Sequence, residues 1–471
     1  MTSEPIPFVC KCCGTCCRWP GIVRVSDDDI RAIAAYLDMK EEDFRAEYTR
    51  AFPGCSTLIL TEAPDGACIF IDETNRCRIN PVKPGQCRGF PEKWSAPPEY
   101  MQLCAGFRAQ AAAKKRRQAP AIPCGISHVH VLGHPLLPLS VEDAPANAQV
   151  FNCHNFCLLL DYLGIPFTYY GVSGSQLPGG KGSFADCGKP TGSWKYGNRW
   201  HQTYTKRLNR QLAKQLGKAA QPEILCSLYG AAQADIDPAG RPVIEPLLGY
   251  DHCWTPYRVF PSYAHQHTIY AKQEEFTRKN RFFDTVIPHF VNADDYWIAA
   301  HSDDYLLYLG RNAADKGVDL ARQCADACKL PIHCIHDNCF GADKTEIIAR
   351  ARAVLMPTLY VEPFGYVAIE AQFCGTPIIT TDWGAFAETV IHGVTGFRCR
   401  TAAEFNRAVA LAPTLNRQAI RKHACDHYSI EAVAPAYAAY FDFVWNVHNN
   451  GGYYAEDAIR DPRQWGNSPF A

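Results

Sequence analysis

At 471 residues, with 47% hydrophobic and 20% charged side chains, the chain is long enough for two or three domains with complete cores and has an ordinary globular composition. A net charge of −1 leaves no global field that would favour nucleic acid or an anionic membrane as partner. No apolar run approaches the roughly 18 residues of a membrane span, and the N-terminus lacks a basic-then-apolar signal pattern, so a cytoplasmic location is expected.

Cysteine is the compositional outlier. The chain holds 23, and ten fall by position 104: Cys10, Cys12, Cys13, Cys16, Cys17, Cys55, Cys68, Cys77, Cys87 and Cys104. Without a secretory signal, such crowding points to metal binding rather than to disulfides. The remaining cysteines are scattered through apolar surroundings and read as inert core residues.

Residues 1–110 form a first domain. Its opening, Cys10-Lys-Cys-Cys13-Gly-Thr-Cys16-Cys17, contains C-x2-C-x2-C-C, a spacing that turns several thiolates toward one point. Ser26 then caps a helix with Asp27, Asp28 and Asp29 in its first turn and Ile30, Ile33 and Ala34 on one face. That acidic run is a helix start, not a metal site. Cys68-Ile-Phe-Ile, Cys77, Pro81 and Cys87-Arg-Gly-Phe-Pro91 follow. Together these pieces resemble a bacterial cysteine-cluster (YkgJ-like) family of zinc- or iron-chelating domains. The resemblance implies Cys10, Cys13, Cys16, Cys17, Cys68, Cys77 and Cys87 as metal ligands. Seven thiolates exceed the four of one tetrahedral zinc site, which leaves two metals or spare cysteines. Cys10-x2-Cys13-x2-Cys16 also opens like a ferredoxin run, without the usual fourth cysteine before proline, so zinc and an iron–sulfur cluster both stay open.

Gln110–Pro120 reads as a linker whose basic run is a solvated hinge rather than a nucleic-acid contact. A second domain, 121–297, alternates strands and helices: Val129–Leu132 (strand), Phe151–Leu163 (helix), Phe167–Tyr170 (strand), Leu208–Leu216 (helix) and Ile224–Leu228 (strand). Such alternation predicts a parallel sheet covered on both faces. Gly171–Ser193, rich in Gly, Ser and Pro, is predicted to be one long loop. Trp194, Tyr196, Trp200 and Tyr204 after it fit either an aromatic platform for a bound molecule or packing. His128, His130, His134 and His154 are read as structural.

A third domain, 298–427, opens with the strand Tyr305–Leu309 and the segment Gly310-Arg311-…-Lys316-Gly317. Two cations at a strand end facing a helix mouth make a sound anion clamp. After the strand Ala353–Met356 comes Leu359–Thr381, LYVEPFGYVAIEAQFCGTPIITT, the most informative stretch of the chain. It reads as a Pro-bounded loop, a helix opening near Gly365 and a strand at Pro377–Thr380. Pro363 and Gly365 turn the backbone tightly and leave first-turn N–H groups uncovered, an arrangement that attracts phosphate. Glu370 then lies roughly 7–8 Å along the helix at 1.5 Å per residue, within reach of a ribose, and Glu362 faces what lies beyond the phosphate. A long amphipathic helix runs from Tyr428 to Val447, within a final segment 428–471.

Glu362-Pro-Phe-Gly-…-Glu370, Gly375-Thr-Pro377, Gly384 and Gly393-…-Gly396 resemble the E-x7-E signature of retaining glycosyltransferases of family 4. Gly310-Arg311-…-Lys316-Gly317 is similar to the family's G-R-x4-K-G element. Val-Ile-Pro288-His-Phe-Val-Asn292 is similar to its V-I-P-N-G-V-D junction, with His289 and Phe290 in place of Asn and Gly. The resemblance implies an α/β fold of GT-B type: two Rossmann-like, doubly wound domains facing a cleft, preceded here by the small cysteine-rich metal-binding domain. It also implies a returning C-terminal helix and a nucleotide-diphosphate sugar as donor. Arg311, Lys316 and the helix mouth at Phe364–Gly365 would hold the diphosphate, Glu362 the sugar and Glu370 the ribose, with no bridging metal. The acid pairs 294–295 and 303–304 are thus loop acids. The acceptor, whether glycan, lipid or small molecule, stays open. The stretch from Arg311 to Glu362 is short, with Pro331–Gly341 running almost directly into Ala342–Ala353 where family members carry an extra strand and a base-recognising loop. A weakened nucleotide-binding protein with a metal- or redox-sensing domain, or a GT-B epimerase or phosphorylase, are the alternatives.

Overall fold

The computed structural model describes residues 8–10, 14–19, 21–52, 57–72, 76–91, 93–101, 104–108, 110–111, 122–140, 147–191, 195–216, 221–272, 282–299, 301–336 and 339–454. The chain divides into two compact units. One comprises Met1–Ala119, Asp294–Ala300 and Gly341–Glu346; the other comprises Pro120–Ala293, His301–Phe340 and Ile347–Ala471.

In the first unit, β1 (Arg24–Val25), β2 (Thr49–Ala51) and β3 (Leu58–Leu60) form an antiparallel sheet in the order β1-β3-β2. Helices α1 (Asp27–Tyr36) and α2 (Glu41–Tyr48) complete a small core of Ile30, Ile33, Phe44, Leu60, Phe70 and Ile79. The acidic run does start α1. Asp29 N–H donates to Ser26 Oγ at 3.1 Å, and the Asp29 carboxylate accepts from Ser26 N–H at 3.1 Å, closing a capping box. The same carboxylate accepts from Gly85 N–H at 2.9 Å and pairs with Arg88 at 3.1 Å. Burial would push the Asp29 pKa up, but the Ser26, Gly85 and Arg88 donors outweigh it and hold the group below its ordinary value.

The second unit holds two parallel sheets. The first has seven strands, β4 (His128–Leu132), β5 (Phe167–Gly171), β6 (Gly182–Asp186), β7 (Glu223–Ser227), β8 (Val243–Glu245), β9 (Tyr257–Phe260) and β10 (Thr285–Val286), in the order β10-β9-β8-β7-β4-β5-β6. All its pairings are parallel. Every residue of β5 and β7 is buried, because helices cover both faces. Helix α3 (Ala148–Leu163) packs on the face carrying Val129 and Val131, and α4 (Arg199–Gln215) on the face carrying Leu132 and Tyr170. The predicted loop 171–193 is corrected here: it contains β6. That strand lies at the sheet's edge with four of its five residues outward or half-outward around a single buried Ala185, so its sequence shows no run of apolar residues.

The second sheet has β11 (Leu306–Leu309), β12 (Ile332–Ile335), β13 (Ala353–Met356), β14 (Ile378–Thr381) and β15 (Gly396–Cys399), in the order β12-β11-β13-β14-β15. Pro331–Gly341 contains an edge strand, β12, that the sequence reading did not assign, its His333 and Cys334 leaving it half-exposed. One helix then leads directly to β13, with no further strand between them among the described residues. The two strand orders, 3-2-1-4-5-6-7 and 2-1-3-4-5, are both doubly wound, and the architecture is GT-B.

Helix α5 (Tyr263–Lys272) follows β9; α6 (Val318–Cys328) follows β11; α7 (Gly341–Arg350) precedes β13; α8 (Tyr366–Phe373) and α9 (Phe386–Thr389) flank β14. After α10 (Arg417–Tyr428), Ser429 accepts from Ala432 N–H at 3.1 Å and starts α11 (Ile430–Asn449). This last helix lays Tyr437, Phe441, Val444 and Val447 into the core of the first sheet, beside Phe156 and Val129. Asp442 fastens it there by accepting from Gly125 N–H at 2.7 Å. Among the described residues, no helix is long and apolar enough to cross a membrane.

Candidate functional site

A doubly wound sheet opens a crevice where its strand order reverses, because the loops leaving the two central strands depart to opposite faces. In the second sheet that point lies between β11 and β13. The loop after β11 carries Gly310–Gly317, and the loop after β13 carries Pro357–Gly365. They are packed so closely that a Cβ on Gly317 would lie 2.1 Å from the Pro357 carbonyl oxygen, and Gly317 has φ of +72°. Leu359 N–H donates across to the Asp315 carbonyl at 2.9 Å.

This approach brings two residues singled out from the sequence into contact. Lys316 Nζ donates to Glu362 Oε2 at 2.8 Å, both side chains being largely buried. Tyr360, which sequence reading passed over, donates its hydroxyl to the same oxygen at 2.9 Å, and its ring lies under the Lys316 ammonium with 4.7 Å to the centroid. Burial disfavours the Lys316 charge, but Glu362 and Tyr360 more than compensate, and the ammonium's pKa is raised. The Glu362 backbone is itself fixed: Ala385 N–H donates to its carbonyl at 3.0 Å, and Gly384, at φ +61°, stands where a Cβ would meet Glu362 N at 2.8 Å.

Three residues on, Gly365 is the N-cap of α8 with φ of +84°, and no side chain caps the helix. Ala368 N–H turns back to the Gly365 carbonyl at 2.9 Å, and the positive end of the helix is presented by the Tyr366 and Val367 amides, which no side chain caps. Phe364 is buried edge-on against His289, with ring centroids 4.9 Å apart, so its side chain packs while its backbone forms the loop. Glu370, the fifth residue of α8, is buried at 2% exposure, deeper than Glu362 and apart from the Lys316 contact. The structure does not bring Arg311 into that contact. Its side chain is 67% exposed and pairs with Asp315 at 3.6 Å. Asp303 and Asp304 pair with Arg350 and Arg352 at 2.8 and 2.7 Å, as loop acids do.

The other half of this unit is fastened to the same loop. Ser262 Oγ donates to the Pro363 carbonyl at 2.7 Å. The Glu388 carboxylate accepts from Tyr263 N–H at 2.9 Å and Ala264 N–H at 2.8 Å, capping α5 from across the crevice. Tyr366 donates its hydroxyl to Asn152 on α3 and stacks on His289, ring centroids 5.0 Å apart and 14° from parallel. Burial, with His265 nearby, pulls the His289 pKa down to about 3 and keeps that ring neutral. His289 lies in the junction singled out from the sequence, whereas Ser262, Glu388 and Asn152 left no signature there, because each acts through a contact more than 100 residues away along the chain.

At the reversal point of the first sheet, between β4 and β7, His134 Nδ1 accepts from Leu136 N–H at 3.0 Å and Leu137 N–H at 2.9 Å, and Tyr229 packs on it at 4.4 Å. His128 and His130 hydrogen-bond to Thr168 and Tyr170 at 2.9 and 2.8 Å within the sheet. Trp200 and Tyr204 are buried in the α4 core, Tyr196 is exposed, and Trp194 lies outside the described residues.

In the first unit, Cys68, Cys77 and Cys87 are partly buried, and Cys68 N–H donates to the Cys17 carbonyl at 2.8 Å. Burial first, then the neighbouring Cys68, Cys16 and Cys77, pushes the Cys87 thiol up to about 12. Cys10 and Cys16 both lie within electrostatic reach of Cys77. Cys13 lies outside the described residues. Among the described residues, no group of three or more His, Cys, Asp or Glu side chains is arranged to hold a metal ion. Cys16, Cys68, Cys77 and Cys87 lie within electrostatic reach of one another, and thiols are the donor type that suits a thiophilic metal.

Residues 323–424 match the model of "Glycosyl transferases group 1", and residues 9–118 match the CxxCxxCC model, described as "Putative zinc- or iron-chelating domain". The first match takes in Glu362 to Glu370 but begins after Lys316, whose place beside Glu362 rests on geometry. The chain is 42% identical over 77 residues to a glycogen synthase of Mycobacterium tuberculosis, covering 16% of this chain and 18% of that protein. It is 37% identical over 92 residues to a D-inositol 3-phosphate glycosyltransferase of Actinosynnema mirum, covering 18% and 22%. The chain thus spans about a fifth of the length of these relatives. Among solved structures, a sucrose-phosphate synthase from Thermosynechococcus elongatus superposes with a TM-score of 0.50 at 14% identity, over 66% of this chain and 97% of that one, a likeness of fold. The chain therefore carries a glycosyl transferases group 1 domain toward its C-terminus and a CxxCxxCC domain at its N-terminus.

Proposed function

We propose that the protein is a glycosyltransferase that moves a sugar from a nucleotide-diphosphate donor to an acceptor, with retention of the anomeric configuration. The observation that carries this reading is the Lys316–Glu362 contact at the reversal point of the second sheet, three residues before the mouth of α8. Lys316 and the first amides of α8 would stabilise charge growing on the departing diphosphate, the largest catalytic term in sites of this kind. Glu362 would orient sugar hydroxyls, and Glu370, farther along α8, would meet the ribose. Arg311 would have to leave Asp315 to reach the diphosphate. The relatives named for glycogen and inositol-phosphate glycosylation support a hydroxyl acceptor, whether borne by a glycan, a lipid or a small molecule. Cys10, Cys13, Cys16, Cys17, Cys68, Cys77 and Cys87 would hold zinc or an iron–sulfur cluster, and no step of sugar transfer passes through them.

The test is nucleoside-diphosphate release from a panel of nucleotide hexoses, with and without simple acceptors. Lys316→Ala and Glu362→Ala are expected to lower kcat by about 10²–10³-fold, the scale for losing one pre-organised charge contact. Turnover within twofold of wild type in either variant would remove the assigned role. One observation favours a second reading, a nucleotide-binding protein with weakened turnover: Arg311 is exposed, and Lys316 is already neutralised by Glu362. Calorimetric binding of nucleoside diphosphates without turnover on any donor would favour it.

A further inference from the structure

Tyr360 lies two residues before Glu362, between two side chains that face outward: Leu359 is 57% exposed and Val361 46%. Its own side chain turns inward. The backbone around it is fixed on both sides, because the Tyr360 carbonyl accepts from Trp383 Nε1 at 3.1 Å and Leu359 N–H is bound to Asp315. The ring therefore has little freedom to swing away. Its hydroxyl and the Lys316 ammonium both donate to Glu362 Oε2, at 2.9 and 2.8 Å, while the ammonium also rests on the ring face.

Each of these contacts does something the Lys316–Glu362 pair cannot do alone. An isolated ammonium and carboxylate collapse onto each other, and each then serves as the other's only anchor. When a diphosphate draws Lys316 toward itself, such a carboxylate would lose its hold. A neutral hydroxyl bound to the same oxygen keeps the carboxylate in place without adding charge, and leaves Oε1 as the oxygen toward which a sugar hydroxyl can donate. The ring face attracts the ammonium from a direction different from that of the carboxylate, so Lys316 stays positioned while its protons are shared. Burial and the Glu362 charge raise the Tyr360 pKa, which keeps the hydroxyl a proton donor across the neutral range.

Resting on the sugar-transfer reading above, we infer that Tyr360 is a positioning residue of that site, its hydroxyl holding Glu362 for the sugar and its ring holding Lys316 for the diphosphate. The two functions separate by substitution. In the full chain, Tyr360→Phe keeps the ring and loses the hydroxyl, whereas Tyr360→Ala loses both.

The experiment measures calorimetric affinity for UDP, ADP and GDP, and kcat and KM on the matching nucleotide hexoses. Tyr360→Phe is expected to keep nucleoside-diphosphate affinity within about twofold, while kcat falls about tenfold, the loss of one hydrogen bond to a charged group. Tyr360→Ala is expected to lose about fivefold in diphosphate affinity as well, the weight of a cation–π contact. Wild-type kcat in Tyr360→Phe would overturn the inference while leaving sugar transfer intact. Equal losses of kcat and affinity in both variants, together with a lowered thermal midpoint, would reduce Tyr360 to a structural residue and also overturn it. A wild-type protein that neither binds the three diphosphates nor releases them from any donor would overturn both this inference and the reading beneath it.

Discussion

Gly384 shows how a residue without a side chain can fix the backbone of Glu362. Its φ of +61° is reached at little cost only without a Cβ, and an added Cβ would sit 2.8 Å from the Glu362 nitrogen and 3.1 Å from its carbonyl oxygen. Both neighbours are backbone, so Glu362 would have to move. Gly384→Ala is expected to destabilise by about 1–3 kcal/mol and to lower kcat together with stability. Gly164 makes the comparison: its φ is +72°, but nothing lies within 4 Å of where an added methyl would stand, so Gly164→Ala should cost about 1 kcal/mol and leave kcat unchanged. Denaturant melts paired with turnover would distinguish the two. Glycines of this kind are legible in sequence only through a motif, as at Gly365 and Gly384. The tyrosine beside Glu362 was not legible, because a Tyr in an apolar loop looks the same whether its hydroxyl meets solvent or a carboxylate.

Elements with strong periodicity were legible; strands at sheet edges, and the short interior strands β8 and β9 that carry Glu245 and Arg258, were not. The helix capped by Ser26, the strand at 353–356 and the helix opening at Gly365 appear as read, since their caps and apolar runs are local features. Strands β6 and β12 escaped notice because an edge strand needs no buried face on both sides, and so leaves no continuous apolar run. Helix α11 illustrates the energetic weight of a legible element. Phe441 is fully buried between Phe156 and Tyr437, at ring separations of 6.4 and 5.8 Å. Phe441→Ala is expected to cost about 3–5 kcal/mol, read as a lower urea midpoint at unchanged slope, and to loosen the first sheet's core rather than the second's.

For the molecule as a whole, the cysteine-rich unit and the larger unit have separate hydrophobic cores. Metal binding should therefore act on one melting transition alone. Purified protein is expected to carry zinc or iron by elemental analysis, and a strong chelator should lower the transition of residues 9–118 by several degrees while leaving that of the larger unit in place. A chelator that moved neither transition, or both equally, would count against a metal confined to the cysteine cluster. The cysteine crowding that suggests such a site is a matter of composition, whereas the pairing of Lys316 with Glu362, 46 residues apart, required the strand order to bring two loops to one crevice.

The return of α11 to the first sheet has a consequence for how this protein is made on the ribosome. Val129, Phe156 and Phe290 are synthesised well before Phe441 and Val444, the side chains that complete their core. Where the chain crosses between sheets, Val291 N–H binds the Tyr428 carbonyl at 3.0 Å, so the outgoing and returning crossings also meet only late. During translation, the half that is born first therefore waits with its apolar surface uncovered until the half born second has emerged, and a nascent chain stalled before residue 430 is the species that chaperones would be expected to hold.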